Sequence, residues 1–115
     1  MGINAYQKIK QNTDSASQKN YQLFNSILLW VKDSINKDKI SEKMECILNA
    51  QYLLTTTIER MPSNIPDEEA ELLINMLLII NKKFNECIRN SDLISRESLV
   101  DELDALVFLR NIYQD

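Results

Sequence analysis

Apolar residues recur along this chain at alternating steps of three and four, the spacing that lines one side of an α-helix. In the block 18–36 the row is Tyr21, Phe24, Leu28, Val31 and Ile35; in 41–61, with Ile40 just before it, the row is Met44, Ile47, Leu54, Ile58 and Met61, interrupted by Gln51. The block 67–90 carries Ala70, Leu73, Leu77, Ile80, Phe84 and Cys87, and the last, from Ser95 or Arg96 to about Tyr113, carries Leu99, Leu103, Leu106 and Val107. Near the start, Ile3, Tyr6 and Ile9 predict a short helix over 3–11. It is joined to the next by a polar linker over 12–17, in which Ser15 or Ser17 can cap the following helix. Gln51 in an otherwise apolar row calls for a hydrogen-bonded core position or one near the surface.

The breaks are readable too. Met61-Pro62-Ser63-Asn64-Ile65-Pro66 must interrupt a helix, because proline disfavours helical backbone in the residue before it. Asn36 is the residue best able to close the first long helix in a left-handed conformation, and Asn90-Ser91-Asp92 precedes the last one. One Gly, two Pro and no alternating strand-like runs make the chain all-α. The expected architecture is an antiparallel four-helix bundle with an additional short N-terminal helix, one domain over 1–115 with its bundle at 18–114.

The apolar content exceeds what such a bundle uses. Eight of the ten residues in Glu71-Leu72-Leu73-Ile74-Asn75-Met76-Leu77-Leu78-Ile79-Ile80 are large and apolar. That run is far short of the roughly 20 residues needed to cross a bilayer. A bundle helix needs about three apolar residues per heptad, yet Leu23, Ile27 and Trp30 form a second edge on one helix and Leu72, Met76 and Ile79 on another. A contiguous exposed apolar patch marks a partner site, which makes Ile9, Trp30, Met76 and Ile79 candidate groove residues. The same stripes would be covered equally well by the N-terminal helix or by a second copy in a homodimer.

Charge and chemistry narrow the function. Seventeen Asp and Glu against 13 Lys and Arg leave a net charge of -4 and no basic stripe, which argues against nucleic acid and against an anionic membrane surface. The chain contains no His, so the commonest general base and imidazole metal ligand are missing, and its single Gly cannot build a phosphate cradle. Cys46 and Cys87 sit in separate helical rows and are expected as free buried thiols. No catalytic residue, metal or cofactor is expected, and Met1-Gly2-Ile3-Asn4-Ala5-Tyr6 has no apolar signal core. These features fit a cytoplasmic, non-enzymatic binding protein.

Several segments carry a family likeness in order: Ala5-Tyr6-Gln7, Ser15-Ala16-Ser17-Gln18, Leu23-Phe24-Asn25-Ser26-Ile27-Leu28, Asn49-Ala50-Gln51 with Leu53-Leu54, and Ile88-Arg89-Asn90 leading to Val100-Asp101-Glu102-Leu103-Asp104-Ala105-Leu106. Together they resemble the flagellar secretion chaperones of the FliS family. Asn25-Ser26 stands where that family has Asp-Gly, which suits a divergent paralogue. The resemblance implies a cytosolic chaperone that holds the C-terminal helical segment of flagellin in apolar grooves, unpolymerised and ready for type III export. It implies a monomer or weak homodimer, and for Tyr6, which matches the N-terminal motif, a partner role that includes docking to the export gate. The alternative class is a homodimeric structural or regulatory bundle.

Overall fold

A computed structural model of the chain describes the backbone of residues 2–60 and 67–114, and the side chains of 18–59, 68 and 70–114. It is all-helical, with no strand among the described residues. Helix α1 spans Gly2–Asn36, α2 Ile40–Arg60, α3 Asp67–Arg89 and α4 Val100–Ile112, with a 3₁₀ turn at Ser91–Leu93 between the last two.

The first difference from the sequence reading lies in α1. It runs without interruption through 12–17, so the separate helix over 3–11 and its linker are replaced by one continuous element. The physical reason is that this polar stretch holds neither Pro nor Gly. Ordinary residues reduce helix stability by at most about 0.7 kcal/mol each relative to Ala, and extending an existing helix avoids a second nucleation step. The break expected at 61–66 lies outside the described residues.

At its C-terminus α1 ends differently from expectation as well. No described non-glycine residue has a positive φ, so Asn36 does not supply a left-handed cap. Instead the Lys43 ammonium reaches back from α2 and donates to the Ile35 carbonyl at 3.2 Å, satisfying one of the carbonyls a helix end leaves free.

The last helix starts several residues later than its apolar row suggests. Ser95 holds a single turn: its Oγ accepts from the Ser98 N–H at 3.1 Å and its carbonyl from the Leu99 N–H at 3.0 Å. Leu99 then departs from helical backbone at φ -106 and ψ 11, and α4 proper begins at Val100. Burial of Leu99 and Ile94 anchors this irregular connection to the core. Asn90 organises its start, with Oδ1 accepting from the Asp92 N–H at 3.1 Å.

One core joins all four helices. Phe24, Leu28 and Val31 of α1 meet Ile47 and Leu54 of α2, Leu77, Ile80 and Phe84 of α3, and Leu106 and Leu109 of α4. Among the described residues, the buried polar side chains of Ser34 and Thr57 are internally satisfied, Ser34 Oγ donating to the Val31 carbonyl at 2.6 Å and Thr57 Oγ1 to the Leu53 carbonyl at 2.8 Å. Both cysteines are free and buried, as their positions in the rows suggest. α1 packs against α2 and α4, and α2 against α3, whereas α3 and α4 touch only lightly.

Candidate interaction groove

The light contact between α3 and α4 leaves a groove of about 190 Å³, lined by Met76, Ile79 and Ile80 from α3 and by Asp101, Glu102 and Ala105 from α4. Helical periodicity sets its α3 wall. Leu73, Leu77 and Ile80 turn into the core, which carries Leu72, Met76 and Ile79 round to the helix flank. Leu72 is 67% exposed and Ile79 65%, high values for residues of this size, while Met76 is half-buried and packs against the core margin. The α4 wall is acidic at its rim because Asp101 and Glu102 occupy the first turn, where the positive end of the helix dipole favours carboxylates.

Two of the residues predicted from periodicity, Met76 and Ile79, thus come together in this groove. Trp30 does not join them; it is half-buried on α1 against the core. Ile27, its neighbour in the spare α1 stripe, is fully buried, and Leu23 borders a separate shallow concavity with Lys19, Gln22 and Ser26. The side chains of Tyr6 and Ile9 lie outside the described residues.

Sequence reasoning missed the opposing wall. Asp101, Glu102 and Ala105 entered the sequence reading only within the family likeness, with no place in a groove. A signal was present: Val100, Phe108 and Ile112 follow steps of four and eight, placing a second apolar face on α4 opposite Leu99, Leu106 and Leu109. All three are exposed in the structure. A helix apolar on both faces is one with a loosely covered side. On α2, Ile40, Leu48 and Tyr52 form another exposed row, Tyr52 being 74% exposed.

Polar contacts brace the neighbouring interfaces. Gln51 Nε2 donates to Asn81 Oδ1 at 3.0 Å and Asn85 Oδ1 at 2.7 Å, clamping α2 to α3 and explaining its place in an apolar row. Between α4 and α1, Arg110 Nη1 donates to Asn25 Oδ1 at 3.2 Å, and its guanidinium lies 6.0 Å from the centre of the Tyr21 ring. The Tyr113 ring stacks on Phe24 at 5.7 Å.

Burial pushes the Cys87 thiol up to about 11, against the opposing influence of Lys83 and with smaller contributions from Glu102 and Glu86 in the same direction. Its Sγ donates weakly to the Leu93 carbonyl at 3.7 Å. Burial also raises Cys46. A thiol held protonated is a poor nucleophile. Among the described residues no group of three potential metal-binding side chains occurs, and no helix is long and apolar enough to cross a membrane. What the geometry offers is a shallow apolar trough with one acidic edge. No protein-family model, curated protein or solved structure matches the chain.

Proposed function

We propose that this chain is a cytoplasmic export chaperone whose α3/α4 groove receives the C-terminal helical segment of flagellin, keeping it unpolymerised until export. The reading is of a binding protein, not an enzyme, built as an antiparallel bundle and acting as a monomer or weak homodimer. The observation that carries it is the exposed row of Leu72 and Ile79 beside a groove lined by Met76. A helix laid there would bury those side chains, and helix-in-groove recognition uses anchors at this spacing. The sequence resemblance to flagellar secretion chaperones supplies the client's identity, and Tyr6 is assigned to partner contact and to the export gate on that basis alone. The antiparallel arrangement draws on the short link at 37–39 and on the Lys43 contact with Ile35 across it.

The exposed α2 row of Ile40, Leu48 and Tyr52 favours a second reading, a homodimeric structural or regulatory bundle that pairs through that face. Titration calorimetry with a peptide covering the flagellin C-terminal segment separates the two. The chaperone reading expects 1:1 binding with a large negative heat-capacity change from apolar burial, weakened by Ile79→Glu in a chain that still folds. Absence of heat at every temperature, together with a stable dimer by light scattering, would replace it with the homodimer.

A further inference from the structure

The groove's chemistry restricts what can occupy it, and the inference rests on the helix-binding reading above. Its apolar lining is formed by Met76, Ile79, Ile80 and Ala105, whereas α4 also presents Asp101 and Glu102 to it. Neither carboxylate has an ion-pair partner among the described residues. The cation on the same α3 stripe, Lys83, lies 3.9 Å from Glu86 on its own helix. The trough is therefore asymmetric: apolar along the bottom, negative along one edge.

We propose that its occupant is an amphipathic helix whose apolar stripe is flanked on one side by Lys or Arg, that flank lying over Asp101 and Glu102. The row from Leu72 to Ile79 covers about two helical turns, so two or three apolar anchors at steps of three and four would fill it. Basic residues next to the stripe then meet the two carboxylates. An acid-flanked helix of equal apolarity meets like charge instead, and repulsion of this kind is what separates one amphipathic helix from another where apolar contact cannot. The first-turn dipole of α4 offsets part of the negative potential, and the rim is open to water. The discrimination is accordingly moderate and sensitive to salt.

Two synthetic helical peptides test this, sharing one leucine stripe and flanked at identical positions by Lys in one and Glu in the other. Each is titrated calorimetrically against the full chain at low and at moderate salt, with the flagellin C-terminal segment as a third titrant. The Lys-flanked peptide is expected to bind about tenfold tighter than its Glu twin at low salt. The ratio should shrink as salt screens the rim and fall close to one in the double variant Asp101→Asn with Glu102→Gln, which keeps side-chain shape. Equal affinities, a ratio unchanged in the double variant, or no binding of either peptide would each overturn the proposal. Flagellin binding without charge discrimination would remove this inference and leave the chaperone reading standing. Tight Lys-peptide binding with a silent flagellin segment would do the reverse.

Discussion

Helices α1 and α3 carry the same kind of sequence surplus and dispose of it in opposite ways. Each adds a second apolar edge to its seam, with Leu23, Ile27 and Trp30 on one and Leu72, Met76 and Ile79 on the other. On α1 that edge is drawn inward, with Ile27 fully buried and Trp30 packed at the core margin. On α3 it stays largely in water. Neighbours make the difference: α1 is held between α2 and α4, while α3 leans on α2 and barely meets α4. An apolar stripe thus specifies that a helix has something to cover, and the topology decides whether the chain covers it itself.

The sharpest way to break this comparison is to truncate the matching isoleucines. Ile27→Ala should destabilise the fold by about 2–5 kcal/mol, the range for buried aliphatic truncations, and Ile79→Ala by no more than about 0.5 kcal/mol. Urea unfolding of the two variants side by side decides it; similar losses would mean that Ile79 is core and the groove closed.

The inward face of α3 offers the next largest effect. Because burial raises the Cys87 thiol from an ordinary 9.0 to about 11, the folded chain keeps a proton that the unfolded chain releases. Its contribution is whole below about pH 9 and is lost as pH rises toward 11, by up to about 3 kcal/mol. Comparing the alkaline loss of stability in the parent and in Cys87→Ala isolates it, since other titrating groups are common to both. Identical slopes would show that the thiol is not sealed under α3.

Smaller again is the clamp that ties α3 to the rest. Gln51→Ala removes both hydrogen bonds to Asn81 and Asn85 and should lower stability by about 1 kcal/mol. Faster amide exchange should then appear in α3 and spare α1, whereas uniform acceleration would deny α3 any separate attachment. Smallest of all, Arg110→Ala loses the Asn25 hydrogen bond and the approach to Tyr21. About 0.5 kcal/mol is expected for this half-buried contact, with the exchange gain confined to α4.

Much of the fold was legible because the seams were. Phe24, Leu28, Ile47, Leu77, Phe84 and Leu106 were all placed inward by spacing alone, and all are buried. Helix ends were less so. The start of α4 depends on how Ser95 and the burial of Leu99 compete with helical backbone, and the continuity of α1 on whether a tolerant polar stretch continues a helix or interrupts it. Of the groove, Met76 and Ile79 could be named because a spare stripe is a property of one helix. Their opposing wall, Asp101 with Glu102 and Ala105, could not be, since which helices face each other across a gap is absent from any single helix's pattern.

Trp30 is the chain's single tryptophan, and its seat on α1 makes it an optical probe already in place. Excited selectively, it reports the dielectric surroundings of the α1 margin. Global unfolding would shift its emission to the red. A blue shift on adding a client would signal dehydration beside α1, tracing the bound chain across the bundle without any label.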